Sequence, residues 1–155
     1  MIRQWPLYLL VFGFLWCAGA QTSADTIPAP AQTALDKGAK LELFALSPDP
    51  EEGKNAKEAF HGYKVLNKTT LEGGDKSKIA AAFKKAVAAN QGKAAFCFNP
   101  RHGIRVVHDK KTVDFLICFE CFQVHLFIDG KEAKGFLTEN SAQPVFDAML
   151  KKAAK

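Results

Sequence analysis

The chain has 155 residues, a formal net charge of +5 at pH 7 and 48% hydrophobic residues. This length is enough for one domain with its own core. The lysines are interspersed with acidic residues along the whole chain, which is typical of a solvated surface, and no nucleic-acid-binding motif is present.

Residues 1–20 have the pattern of a secretory signal peptide. Arg3 supplies the positive end, residues 7–16 form a short apolar run, and small residues precede position 21. The run is short for a membrane span, so we predict no transmembrane span in the mature chain. The expected location is periplasmic or extracellular, with a lipid-anchored form through Cys17 as an alternative.

Residues 21–38 are rich in Ala, Thr, Ser and Pro and are predicted to be a flexible linker, followed by a single domain over 39–155. In chain order, the hydrophobic periodicity of that domain predicts strands over 40–46 and 63–71, a helix over 75–89, strands over 93–98, 104–108, 112–128 and 133–137, and a last helix from 140 onward. This segregation of strands and helices predicts an α+β fold. We expect a single antiparallel sheet of about five to six strands with two helices packed on one face.

The segment 94–130 contains Cys97, Cys118 and Cys121 and the strongest strand pattern. Its apolar residues occupy odd positions up to Phe119 and even positions from Phe122 onward. Because alternate side chains of a strand lie on opposite faces, a β-bulge near Glu120 would restore one continuous strand. Such a bulge places Cys118 and Cys121 together on the polar face.

A soft-metal site is the main hypothesis for these residues. If the phenylalanines on either side of Cys97 belong to the core, Cys97 joins the same face, and the turn after it brings His102 close. Cys97, His102, Cys118 and Cys121 would then supply three sulfurs and one nitrogen, a ligand set suited to zinc or copper.

A structural disulfide is the first alternative, because exported proteins meet an oxidising compartment. Three extended residues span about 10 Å, which is too far for a bond between Cys118 and Cys121. Cys97 bonded to either of them is the easier pairing. A thiol enzyme, redox or hydrolytic, is the other alternative, although a Cys-x-x-Cys pair of the thioredoxin type belongs at a helix N-terminus rather than in a strand.

Four other polar residues are candidate binding residues: Arg101, Arg105, Glu120 and His125. The two arginines either grip a carboxylate or phosphate or pair with Asp109 and Asp114 across the hairpin. Glu120 is singled out because bulges often aim a side chain at a site.

Four motifs carry a resemblance to a known family: FHGYKVL (60–66), CFNPRHGIR (97–105), DFLICFEC (114–121) and QPVF (143–146). The chain resembles a family of small exported bacterial proteins without an assigned activity. The resemblance implies export and a single domain, and it brings no catalytic residue or cofactor. We therefore expect a non-enzymatic extracytoplasmic binding domain, whose partner is a soft metal ion or an envelope protein.

Overall fold

The computed structural model describes residues 26–50 and 59–154, so the predicted signal peptide lies outside the described residues. The elements, in chain order, are α1 (Ala29–Lys37), β1 (Leu41–Pro50), β2 (Tyr63–Leu71), α2 (Gly73–Ala89), β3 (His102–His108), β4 (Lys111–Cys118), β5 (Gln123–Ile128), β6 (Lys131–Leu137), a short 3₁₀ turn (Asn140–Ala142) and α3 (Gln143–Ala153). In these described ranges, none of the helices is long and apolar enough to cross a membrane.

The six strands form one sheet in the order β2-β1-β3-β4-β5-β6, and every neighbouring pair is antiparallel. The predicted α+β fold with a single antiparallel sheet is therefore confirmed. Asp129 and Gly130 form the tight turn between β5 and β6, with positive φ angles of 51° and 75°. This is the hairpin that the Asp-Gly pair predicts.

The number of helices differs from the expectation, because three rather than two pack on the sheet. The extra helix, α1, lies within the segment predicted to be a flexible linker. It begins after Pro28 and carries Pro30 in its first turn, where the missing proline N–H costs nothing. Ala31, Ala34 and Leu35 are buried, so this stretch belongs to the folded domain.

The predicted continuous strand over 112–128 is also wrong. The chain reverses at Phe119–Phe122, and β4 pairs with β5 so that Cys118 lies opposite Gln123 and Ile117 opposite Val124. In an antiparallel pair with this even-length connection, odd positions of one strand share a face with even positions of the other. The shift of the apolar residues from odd to even positions therefore results from a hairpin turn, and no bulge is needed to explain it.

The inner face of the sheet packs against all three helices in one core. Phe83 of α2 is fully buried at its centre, with ring contacts to Phe115, Phe136 and Phe146. The outer face carries a smaller cluster of buried residues: Phe44, Leu46, Phe60 and Leu116. Segments of chain therefore cover both faces of the sheet, and the cysteines lie under one of the outer segments.

Candidate functional site

Cys118 and Cys121 form a disulfide that closes the turn between β4 and β5. Their Cα atoms are 5.1 Å apart, within the ordinary range for a disulfide. The expectation that these two cysteines are too far apart is wrong, because it assumed extended backbone where the chain turns. The expected disulfide between Cys97 and one of these two cysteines is also wrong, because Cys97 is a free thiol.

Residues 94–100, here called the covering segment, lie against the outer face of β5. The predicted strand over 93–98 does not form in this region. Instead, the backbone N–H of Ala95 donates to the carbonyl of Cys121 at 3.0 Å. The side-chain amide of Gln123 donates to the carbonyl of Ala95 and, at 3.4 Å, to that of Cys97. These bonds fix the backbone on either side of Phe96.

His125, a predicted binding residue, holds the next part of the covering segment. Its ring stacks on Phe98 with the centroids 4.0 Å apart, and its Nδ1 lies 3.1 Å from a carboxylate oxygen of Glu132. Both contacts are internal to the domain. These contacts therefore hold in place the segment that carries Cys97, and a binding role for His125 stays a prediction.

The covering segment places the free thiol against the disulfide. The Sγ atoms of Cys97 and Cys121 are 3.7 Å apart. Cys118 and Cys121 are each only 1% exposed, whereas Cys97 is exposed. The three sulfurs therefore form one cluster that reaches the surface through Cys97.

Two backbone N–H groups point at the sulfurs of the disulfide. The N–H of Cys121 lies 3.1 Å from Sγ of Cys118, and the N–H of Asn99 lies 3.4 Å from Sγ of Cys121. An N–H donor stabilises a sulfur that carries negative charge. Each sulfur of the bond thus has a donor in place for the thiolate form.

His102 does not join the cysteines, because it points to the other face of the sheet. It lies opposite Ile117 in the β3–β4 ladder and contacts the rings of Phe119 and Phe146 in the inner core. Its Nε2 is 2.9 Å from a carboxylate oxygen of Asp147 in α3. Burial lowers the pKa of His102 below its usual value, and the Asp147 carboxylate only partly opposes this effect.

The predicted zinc or copper site at Cys97, His102, Cys118 and Cys121 is therefore wrong. Two of its thiols are bonded to each other, and its imidazole lies on the opposite face. Within the described ranges, no group of three or more His, Cys, Asp and Glu side chains is placed to hold a metal ion.

Arg101 and Glu120 line an open cleft of about 490 Å³ between α3 and the strands β1 to β3, and His102 and Asp147 line it as well. The Nε atom of Arg101 is 3.8 Å from Oε1 of Glu120, and both side chains are at least half exposed. Such a pair contributes little to stability, so both side chains are free to move. Their roles as binding residues stay predictions.

Arg105 is tied into a buried network on the outer face. It donates two hydrogen bonds to Asp114, at 2.8 and 2.7 Å, which confirms the predicted pairing across the hairpin. Nε2 of His61 is 2.7 Å from the same carboxylate, and the His61 ring stacks on Phe127. Burial acts to raise the pKa of Asp114, but the hydrogen bonds from Arg105 and His61 outweigh it and lower that pKa.

The sequence pattern did not predict the contacts made by His61, Asp147 and Gln123. These three contacts join residues 53, 45 and 28 positions apart in the chain. No periodic pattern links positions so distant. Only the strand register and the path of the loops bring these side chains together.

Comparison of the chain with protein-family models, with curated proteins and with solved structures finds no match. The geometry of the site is therefore the ground on which a function is proposed.

Proposed function

We propose that this protein carries out thiol–disulfide exchange through Cys97, Cys118 and Cys121. The distance of 3.7 Å between Sγ of Cys97 and Sγ of Cys121 is the observation that carries this proposal. It brings a free thiol into contact with a sulfur of a formed disulfide. This is the arrangement from which exchange proceeds, because a thiolate attacks a disulfide sulfur directly.

The exchange step needs no other reactant. The Cys97 thiolate attacks Sγ of Cys121, and a Cys97–Cys121 bond forms while the Cys118–Cys121 bond breaks. The electron pair of the broken bond remains on Sγ of Cys118, which takes up the proton that Cys97 lost to solvent. One thiol and one disulfide are present before and after, so no net oxidation occurs.

The leaving sulfur is well placed for this step. The backbone N–H of Cys121, 3.1 Å from Sγ of Cys118, stabilises negative charge as it develops there. The positive N–H dipole is fixed by the turn and does not have to reorganise. Exchange therefore favours attack at Cys121 with Cys118 as the leaving group.

The proposed setting is outside the cytoplasm. The leader-like residues 1–20 and the disulfide are both consistent with an oxidising compartment, where such bonds persist. Membership of the family of small exported bacterial proteins that the chain resembles belongs to the same proposal.

Variants in which one cysteine is replaced by serine test the exchange directly. Cys118→Ser leaves Cys97 and Cys121 as thiols, and we expect them to form an intramolecular disulfide in a glutathione redox buffer. Cys121→Ser is the matched control, because it removes the sulfur that both bonds share, and it should leave most of its thiols open to alkylation. Peptide mapping by mass spectrometry identifies the bonds, and circular dichroism checks that both variants are folded.

The wild-type protein provides the second measurement. In alkaline buffer, prolonged alkylation without reductant should label Cys118 in a fraction of the molecules, because exchange releases it. In Cys97→Ser no such label should appear. The proposal is overturned if folded Cys118→Ser forms no Cys97–Cys121 bond under conditions that form Cys118–Cys121 in the wild type.

A further inference from the structure

We infer that Cys97 is the entry point of a relay that oxidises dithiols in flexible polypeptides, with the buried disulfide as its oxidant. This inference rests on the proposed exchange and adds a direction and a substrate class. Of the three cysteines in the described residues, Cys118 and Cys121 are 1% exposed and Cys97 is exposed. A polypeptide thiol therefore reaches Cys97 and cannot attack the buried bond directly.

The relay has three steps that balance. Internal exchange first moves the disulfide to Cys97–Cys121, which brings one of its sulfurs to the surface. A thiolate of the partner then attacks Sγ of Cys97, forming a mixed disulfide and releasing the Cys121 thiolate. The second thiol of the partner attacks its own sulfur in that mixed disulfide and releases Cys97. The partner loses two electrons and two protons. The protein gains them, so its one thiol and one disulfide become three thiols.

Phe96 points to a polypeptide rather than a small thiol as the partner. Its side chain is fully exposed, at 112% of the reference value, and it directly precedes the exposed thiol of Cys97 in the chain. The backbone on both sides of it is held to β5 through the carbonyls of Ala95 and Cys97. The ring is thus presented on a fixed segment, where it can contact an apolar side chain next to the attacking cysteine of a partner.

The strands beneath the covering segment are closely packed. The covering segment lies over β5, and β6, the next strand, is the last in the sheet. Gly135 of β6 packs against the carbonyl of Val124, where an added Cβ would lie only 2.5 Å from that oxygen. The backbones of β5 and β6 are therefore closely packed, and the Phe96 ring and the Cys97 thiol are exposed above a rigid part of the sheet.

The test uses the oxidised mature protein, without residues 1–20 and their Cys17, and two synthetic unstructured peptides with two cysteines each. One peptide has flanking leucines and the other has flanking serines. The gain of two hydrogens by the protein is followed by quenched mass spectrometry. We expect the leucine peptide to react about tenfold faster than the serine peptide, as one buried aromatic contact allows. Phe96→Ser should remove this preference.

Leu66→Ser is the matched control. Leu66 is also an exposed apolar residue, at 62%, but it lies on β2 at the opposite edge of the sheet. This variant should keep the full preference for the leucine peptide. The assignment of a polypeptide partner is overturned if Leu66→Ser and Phe96→Ser lose the preference for the leucine peptide equally. It is also overturned if the wild type shows no such preference and reacts with glutathione equally fast.

Cys97→Ser separates the relay from the exchange itself. Its Cys118–Cys121 disulfide should resist the leucine peptide and still be reduced by excess dithiothreitol. If the peptide reduces this variant as fast as the wild type, the relay is overturned, even when Cys118→Ser forms its internal bond. If that internal bond fails to form, the exchange is overturned first.

Discussion

Nε2 of His102, at the start of β3, lies 2.9 Å from Oδ1 of Asp147 on α3 and joins the last helix to the middle of the sheet. The His102 side chain is 5% exposed, and that of Asp147 is 43% exposed. The imidazole is therefore enclosed, while its partner carboxylate remains in water. This asymmetry makes the charged form of His102 costly in the folded protein.

Stability should fall as the pH drops below the usual histidine pKa of about 6.5. Burial lowers the pKa of His102, so the unfolded chain binds a proton in this range more readily than the folded chain does. The slope is at most about 1.4 kcal/mol per pH unit for one proton. Urea unfolding at a series of pH values between 7 and 5 measures it.

His102→Gln should flatten this slope, because the replacement side chain does not titrate. The control is His125→Gln, which removes a 38% exposed histidine and should leave the slope in place. A slope unchanged in His102→Gln, in a variant with a cooperative unfolding transition, would falsify the assignment of the acid sensitivity to His102.

Gly103→Ala should destabilise the protein by about 1–3 kcal/mol. A Cβ at this position would lie 2.6 Å from Cε1 of the buried Phe60 ring, which packs on the outer face of β3. Gly74→Ala is the matched control in α2, where an added Cβ meets nothing within 4 Å. That variant should be neutral or more stable by up to about 1 kcal/mol, since alanine favours the helix. Thermal unfolding of both variants checks the contrast.

Phe60→Leu tests the cause of this effect. A smaller side chain at position 60 leaves room for the added methyl group, so the cost of Gly103→Ala should shrink in that background. Strict additivity of the two substitutions would show that the contact between Gly103 and the ring is not the source of the strain.

Much of the fold was accessible from the sequence, because it depends on local periodicity. The alternation of apolar residues identified most of the strands, and the helical spacing around Phe83 identified α2. The turn at Phe119–Phe122 was missed because three of its four residues are apolar and none is glycine or proline. Phe122 takes a φ of 59°, a left-handed conformation that is rare for a bulky residue.

That single error determined the predicted site. A bulge and a hairpin both place Cys118 and Cys121 near each other, but only the hairpin closes the distance to that of a disulfide. The predicted partner His102 failed for another reason. Once Ile104 and Val106 face the core, alternation along β3 puts His102 on the same inner face. The strand pattern alone contained this information.

Asp114→Asn should cost about 2–4 kcal/mol, because it leaves the Arg105 guanidinium without its carboxylate on the outer face. The Asp114 side chain is 2% exposed, and hydrogen bonds hold its pKa below the usual value. Its contribution is therefore present above pH of about 4 and is lost as the pH falls through the lowered pKa. Denaturant unfolding at neutral pH measures the loss.

The matched control breaks an ion pair at the surface. Lys68→Met removes the pair with Glu42, whose atoms are 3.4 Å apart and in which the lysine is 58% exposed. We expect a change of less than about 0.5 kcal/mol. If both variants lose the same small amount, the buried network does not hold the outer face together.

Asn90→Asp should destabilise the domain by about 3 kcal/mol or more and should also slow the exchange at Cys97. Asn90 is fully buried at the end of α2, and its side chain makes four hydrogen bonds that shape the start of the covering segment. Its Nδ2 donates to the carbonyls of Lys93 and Thr138, at 2.9 and 3.0 Å. A carboxylate there would face two carbonyl oxygens and carry a buried charge.

The pH dependence distinguishes this cause from a general loss of packing. Burial raises the pKa of the introduced carboxyl group, so the folded variant binds a proton more readily than the unfolded chain, and its stability should recover as the pH falls from 7 towards 5. Asn67→Asp is the control, because Asn67 is only partly buried and makes one bond, to the carbonyl of Leu150 at 3.2 Å. Alkylation of Cys97 should stay fast in Asn90→Asp while labelling of Cys118 slows, since a displaced covering segment moves the free thiol away from Cys121.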